Sequence, residues 1–175
     1  MRFIGGSLKG ITIHPKELSA RPTTDYAKEG LFNILSNEFD FTDLRVLDLF
    51  SGSGNIGLEF ASRGAPHVTC VEINHRHVAF IKKTSQQLNL DAVRVVRLNV
   101  FDFLYLCTES YNIIFADPPY NLQGIDTLPQ RIMEKQLLSP SGLLILEHSV
   151  DFNFTETAHF IQTKRYGNVH FSFFR

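Results

Sequence analysis

The 175-residue chain contains no tryptophan, two methionines and two cysteines. Two thiols, Cys70 and Cys107, with no C-x-x-C pair, make neither a disulfide framework nor a zinc knuckle. A chain of this length closes a core without covalent staples, so reduced thiols in the cytosol are the expectation. No apolar run approaches the ~18 residues of a membrane span. The opening Met1-Arg2-Phe3-Ile4-Gly5-Gly6 lacks the apolar stretch of a secretion signal. An excess of either charge is also missing, since 17 basic and 18 acidic side chains leave a net charge of −1. A pI near 6.6 excludes a generic polyanion binder, whose domain pI usually exceeds ~9. Any contact with nucleic acid must come from a local patch. Internal repeats, low-complexity tracts, Pro/Ser-rich linkers and the P-loop, G-x-S-x-G and H-E-x-x-H patterns are absent too.

What is present is an ordinary globular composition, 43% hydrophobic and 20% charged, which suggests a single domain over residues 1–175. Its first 40 residues differ from the rest. Residues 2–4 and 9–14 are short β-prone runs broken by Gly5-Gly6 and Gly10, which predicts a small hairpin or a pair of strands. Arg21-Pro22-Thr23-Thr24-Asp25 then opens a helix: Pro22 holds the chain extended, a threonine caps, and Asp25 suits the first turn. Ala27, Leu31, Ile34 and Leu35 form its apolar face.

From Leu44 the pattern alternates. Strands are predicted at 45–50, 67–72, 93–98, 111–116 and 142–147, and helices at 55–63, 75–88 and 125–138, with Cys107 near another helix end. The tail, 159–165 and 169–174 around Tyr166-Gly167-Asn168, reads as a closing hairpin. The fold class is therefore α/β: a Rossmann-like, mainly parallel seven-stranded sheet with helices on both faces, a C-terminal antiparallel hairpin and a small N-terminal β/α extension. Residues 41–175 form the core and residues 1–40 the extension. Such sheets bind ligands beyond the carboxyl ends of their strands, and each polar signature falls at such an end.

The first is Gly52-Ser53-Gly54-Asn55-Ile56-Gly57, with Glu72 twenty residues after Gly52. Alone, G-x-G-x-x-G is a weak dinucleotide fingerprint. Here Asp48-Leu49-Phe50-Ser51 intervenes between the strand core and the first glycine. The Asp48 carboxylate would repel a pyrophosphate and welcome a sulfonium or an ammonium, which favours S-adenosylmethionine over NAD. Glu72 could accept both ribose hydroxyls of such a cofactor. A strand-end Glu is more often a solvated charge, but its place in this constellation favours the ligand. Asn99, after the third strand, is either an adenine-reading amide or a turn residue.

The second signature, Asp117-Pro118-Pro119-Tyr120, directly follows the fourth strand. Each proline pushes its predecessor out of the helical region, giving a stiff extended turn with two N–H donors missing. Acceptors dominate: the Asp117 carboxylate and the Pro118 carbonyl. They match the two N–H groups of an exocyclic base amine, while Tyr120 offers a stacking face. Such an amine is a poor nucleophile because its lone pair is delocalised into the ring. Holding both hydrogens favours a pyramidal nitrogen aimed at a methyl sulfonium, and Asp117 stabilises the charge that develops.

Together these residues resemble a class I S-adenosylmethionine-dependent amino methyltransferase. Arg2-Phe3-Ile4-Gly5-Gly6, Lys9-Gly10, Arg21 to Asp25, Glu29 to Asn33, Val46 to Gly54 and Ser62 to Ala65 narrow the resemblance to the RsmD family, fading after Glu147. That family methylates N2 of a guanine in small-subunit 16S rRNA, at position 966 in the usual count. The resemblance implies a protein-bearing small ribosomal subunit, with its 16S rRNA, as the substrate; a cytoplasmic monomer that binds no metal and no membrane is the accompanying expectation. The resemblance also implies that Asp48, Phe50, Gly52, Gly54, Glu72 and Thr23 bind the cofactor and that Asp117, Pro118, Pro119 and Tyr120 form the catalytic corner. Arg2, Lys9, Arg21 and Thr24 would face the RNA. Tyr26 stands where the family often carries a basic residue, with Lys28 expected to take up that charge. Asn99 stands where the family usually has Asp, and the family's tryptophans have no counterpart.

Charge is unevenly spread, net +2 over residues 1–30 and +4 over 61–100, against −4 over each of 31–60 and 101–150. His75 and His77 are expected to be surface groups rather than zinc ligands, and His148 a hydrogen-bonded structural histidine. Two other readings stay open: an amino methyltransferase acting on DNA bases or a protein glutamine, and a non-catalytic nucleotide-binding assembly factor.

Overall fold

The computed structural model describes residues 1–14 and 24–175. The first segment runs out and back beside itself: the Phe3 amide donates to the Ile11 carbonyl at 2.9 Å and the Ile13 amide to Met1 at 2.9 Å. This is a hairpin only one bridge wide, Arg2 to Thr12, with a 3-10 turn at Gly6–Leu8. Helix α1 (Asp25–Ser36) follows, capped by the Thr24 side chain accepting from the Ala27 amide.

The core alternates as expected: β1 (Arg45–Leu49), α2 (Gly57–Ser62), β2 (His67–Glu72), α3 (His75–Gln87), β3 (Val93–Arg97), α4 (Val100–Leu106), β4 (Tyr111–Ala116), α5 (Leu128–Glu134), β5 (Leu138–His148), β6 (Phe160–Tyr166) and β7 (Val169–Phe174). They form one sheet in the order β3-β2-β1-β4-β5-β7-β6. β1 to β5 pair in parallel, while β7 runs antiparallel to both β5 and β6. The chain leaves β1 toward β2 and β3, then returns to the other side of β1 for β4. The β1/β4 boundary is thus the switch point.

Side chains alternate across the sheet, and apolar clusters cover both faces. Val46, Cys70, Ile113, Phe115 and Ile145 pack with α1, α2 and α3 on one face. Leu47, Leu49, Val71, Ile114 and Leu146 pack with α4 and α5 on the other.

Three predicted elements change length: two helices shorten, and the strand expected over 142–147 extends to Leu138–His148. The helix expected over 125–138 is a 3-10 turn, Ile125–Thr127, followed by the shorter α5. Leu137 leaves the helix because its carbonyl accepts from the Tyr111 amide at 2.8 Å; β5 therefore begins at Leu138, with a register shift before Leu143. The helix expected over 55–63 begins only at Gly57, because Gly52 and Gly54 at φ 52° and 77° hold the preceding chain in a turn.

The N-terminal segment is fastened to the core by buried charge. Lys28 and Glu59 are both fully buried and lie 3.1 Å apart. Lys28 Nζ also donates to the Arg2 carbonyl at 2.7 Å and to Asn55 Oδ1 at 2.9 Å. Glu59 accepts from the Ile4 amide and from Arg63 Nε. Burial lowers the Lys28 pKa, and Glu59 opposes that shift. Breaking one partner of such a pair leaves the other charge buried. Lys28→Met is expected to lower unfolding free energy by about 3 kcal/mol in urea titrations, and Lys28→Met with Glu59→Met to recover a large part. Simply additive losses would refute the pairing account.

Candidate active site

The carboxyl ends of β1, β2, β4 and β5 open into a cavity of about 1310 Å³. Phe50 and Gly52 follow β1; Glu72 ends β2, with Ile73 and Asn74 after it; Leu98, Asn99 and Val100 follow β3. Asp117 to Tyr120 follow β4, and Glu147 lies near the end of β5; all of these line the cavity. Thr24, Tyr26, His77, Leu122, Ser149, Val150 and the segment Tyr166 to His170 also contribute to the wall. The glycine loop and the Asp-Pro-Pro-Tyr corner therefore share one hollow.

Strand parity explains the chemistry of the floor. Asp48, Glu72 and Glu147 each lie two residues beyond an apolar side chain of the α1–α3 face: Val46, Cys70 and Ile145. Asp117 likewise lies two residues beyond Phe115. Four strands thus bring four carboxyl groups to one face at one end of the sheet.

Each carboxylate is differently engaged. Glu72 is 8% exposed; its Oε2 accepts from the Gly52 amide at 2.8 Å and its Oε1 from the Asn74 amide at 2.7 Å. Both oxygens are thereby fixed at the cavity wall, each with a second lone pair for a ligand hydroxyl. Asp48 sits behind the loop, its Oδ2 accepting from the Gly57 amide at 2.9 Å. Burial pushes its pKa up to about 7, against the pull of that amide, and the nearby Asp117 and Glu72 add to the rise. A Cβ on Gly57 would approach Cys70 Sγ to 2.5 Å and Asp48 Oδ2 to 2.9 Å, so this position admits only glycine. Gly54 packs against Ile81 and Leu58. Neither Asp48 nor Gly54 is among the residues of the cavity wall; both shape the loop from behind.

Asn99 caps α4, its Oδ1 accepting from the Phe101 amide at 2.8 Å, and it also lines the cavity. The Asp117 amide donates to the Leu49 carbonyl at 3.3 Å, which ties the corner to β1. Pro118 is buried, Asp117 half-buried and Tyr120 53% exposed. Withdrawal from water pushes the Asp117 pKa up to about 7.

The expected RNA-facing residues are scattered. Arg2 pairs with Asp25 at 3.1 Å and Glu29 at 3.3 Å, and Lys9 is exposed on the N-terminal turn; neither is among the cavity wall residues. Thr24 caps α1 and reaches the wall. Arg21 and Thr23 lie outside the described residues. Lys28 does not replace the missing surface charge at Tyr26, because it is buried against Glu59. His75 is exposed as expected, but His77 departs from its expected surface role. It lines the cavity with Nδ1 3.7 Å from Glu72 Oε2, and that nitrogen is buried without a hydrogen bond. His148 is structural as expected: Nδ1 pairs with the Ser149 carbonyl at 2.8 Å, and Nε2 with Ser172 Oγ at 2.7 Å. Sequence spacing gave no sign of Tyr166, Asn168 or His170, which reach the cavity only because β7 folds back antiparallel beside β5.

Comparison with known proteins adds an independent line. The family model described as Conserved hypothetical protein 95 matches residues 1–175. The ribosomal RNA small subunit methyltransferase D of Buchnera aphidicola is 37% identical over 133 residues, 76% of this chain and 67% of that relative. The protein of the same name in Escherichia coli K12 is 32% identical over 152 residues, 86% of this chain and 76% of that relative. The solved structure of a hypothetical protein from Thermus thermophilus superposes with a TM-score of 0.88 at 28% identity, covering 100% of this chain and 99% of that one. An RNA methyltransferase from Salinibacter ruber, solved in complex with S-adenosyl-L-homocysteine, shares the fold at a TM-score of 0.69 and 18% identity, over 88% of this chain and 92% of that one.

The raised Asp117 pKa has a consequence for stability. An acid whose pKa rises on folding enters the folded state protonated, so its contribution is most favourable below the ordinary carboxylate pKa and is lost as pH climbs toward 7. Asp117→Asn removes the half-buried charge. Its thermal midpoint is expected to exceed that of the native chain at about pH 8.5, and the gap to close near about pH 4. Equal midpoints at the higher pH would show that the corner carries its charge at no cost.

Proposed function

We infer that the chain, which belongs to the RsmD-like class I methyltransferase family, is an S-adenosylmethionine-dependent rRNA methyltransferase that methylates the N2 amine of a guanine. Its proposed target is the guanine at position 966 of 16S rRNA in the small ribosomal subunit. The observation that carries the proposal is the shared cavity. A donor-poor corner at Asp117 opens into the same hollow as a glycine loop whose Gly52 amide is held by Glu72.

The residues present fit the cofactor. Glu72 offers two anchored carboxylate oxygens for a ribose diol, Phe50, Ile73, Leu98 and Val100 supply apolar wall for a purine, and Asn99 lies beside them. The acidic floor favours a cationic ligand over a pyrophosphate. When bound, S-adenosylmethionine supplies an electrophilic methyl group on a sulfonium.

The chain's own residues do the rest by position. Pro118 and Pro119 have no N–H, so the corner presents the Asp117 carboxylate and the Pro118 carbonyl to an amine with two hydrogens. Accepting both turns the nitrogen lone pair out of the base plane, and Tyr120 supplies a face for the base. As the nitrogen gains a carbon substituent it becomes positive. The ionised Asp117 stabilises that charge and can receive the proton the nitrogen gives up, since its own pKa lies near 7.

Methyl-labelled cofactor and small subunits from a strain lacking this modification test the proposal. Label is expected on N2-methylguanine at one site. Asp117→Ala is expected to lower the labelling rate on the order of 10²- to 10³-fold, and the native rate to fall as pH drops through about 7. An Asp117→Ala variant that labels at the native rate refutes the assigned role, and label on another base refutes the specificity.

A further inference from the structure

Part of the exposed apolar rim of the cavity, at Tyr26 and Val150, is not accounted for by the cofactor or the target base. Eight large apolar side chains are exposed among the described residues, and four of them line this cavity: Tyr26 (68%), Ile73 (59%), Tyr120 (53%) and Val150 (73%). Scattered exposed apolar groups need no explanation, but their concentration around one opening marks a binding surface. The cavity, at about 1310 Å³, exceeds the ~300–1,000 Å³ of ordinary small-molecule pockets. It has room for more than one planar group.

Tyr26 is built as a platform. It is the second residue of α1, and its ring meets Tyr166 of β6 edge-to-face, with centroids 5.7 Å apart and planes at 75°. Tyr166 is itself held in place. Its ring packs against Phe171 at 5.8 Å and lies so close over Gly30 that a Cβ there would stand 2.0 Å from Tyr166 Cε1. The backing ring is thus wedged between helix and hairpin, while the Tyr26 ring leans on it and stays exposed. Arg2, which pairs with Asp25 beside Tyr26 in the chain, is occupied by Asp25 and Glu29. An aromatic surface with its neighbouring cation neutralised suits a base rather than a phosphate.

We propose that Tyr26, backed by Tyr166, is a stacking site for the base of the nucleotide next to the target guanine. Tyr120 belongs to the corner that holds the reacting amine, so its ring serves the target base. Tyr26 comes from a different element of the same wall and serves a neighbour. Stacking is indifferent to base identity and requires an unpaired strand, so this site holds the target in a locally opened RNA and contributes affinity where the chain lacks an excess of positive charge. The proposal rests on the rRNA reading above.

Steady-state methylation of small subunits lacking the modification, together with calorimetric S-adenosylmethionine affinity, tests it. Tyr26→Ala is expected to raise KM for subunits about tenfold, within the range for loss of one base–aromatic stack, with kcat and cofactor Kd within about twofold of native. Tyr26→Phe keeps the ring and is expected to restore native KM. Tyr166→Ala, which removes the backing, is expected to raise KM as well. The proposal is overturned if Tyr26→Ala leaves KM within twofold of native, if Tyr26→Phe is as impaired as Tyr26→Ala, or if cofactor affinity falls by the same factor as KM rises. A native protein that methylates the subunits while Tyr26→Ala is silent overturns the stacking site alone. A native protein that transfers no methyl group overturns the rRNA reading and the stacking site with it.

Discussion

The last rung of the β1–β4 ladder, the Asp117 amide donating to the Leu49 carbonyl at 3.3 Å, is the constraint on which the site depends. The register beneath it pairs Asp48 with Phe115 and Leu49 with Ala116. From this one point the two strands part. One turns through Phe50, at φ 59°, into the glycine loop; the other meets Pro118 and Pro119, which have no amide to continue a ladder. A shift of register by one residue would turn Asp117 to the opposite face of the sheet, away from Asp48 and Glu72.

The electrostatics of the cavity follow from that geometry. Carboxyl groups from four strands converge on one face, and burial makes two of them, Asp48 and Asp117, reluctant to ionise at neutral pH. The protein offsets part of this cost with backbone amides: Gly57 for Asp48, and Gly52 and Asn74 for Glu72. An acidic hollow prepared in this way favours a cationic ligand and resists the phosphates that the glycine pattern would otherwise attract. Local charge at the strand ends, rather than the net charge of −1, decides what this surface accepts.

The N-terminal extension is structurally part of the site. Lys28 links the Arg2 carbonyl, Glu59 of α2 and Asn55 of the glycine loop in one buried cluster. The same helix carries Thr24 and Tyr26 into the cavity wall. The segment that contributes to the rim and the loop at the cavity floor are therefore held by common bonds.

Residue order was sufficient for whatever depends on local chemistry or on strict period. Alternating strands and helices, the seven-stranded sheet with its closing hairpin, the glycine turn, the donor-poor corner and the ligand-binding strand ends all rest on hydrophobic periodicity and on what glycine and proline do to a backbone. Tertiary structure decided the rest, because it depends on contacts between distant elements. Lys28 reads as one more surface cation in a helix until Glu59 is found packed against it. His77 reads as solvated until α3 lays it beside Glu72. The start of β5 at Leu138 follows from a bond to Tyr111. Tyr166 and His170 enter the wall only through the antiparallel return of β7. A period records which way a side chain faces, but its partner across the fold is chosen by packing between segments that the period does not relate.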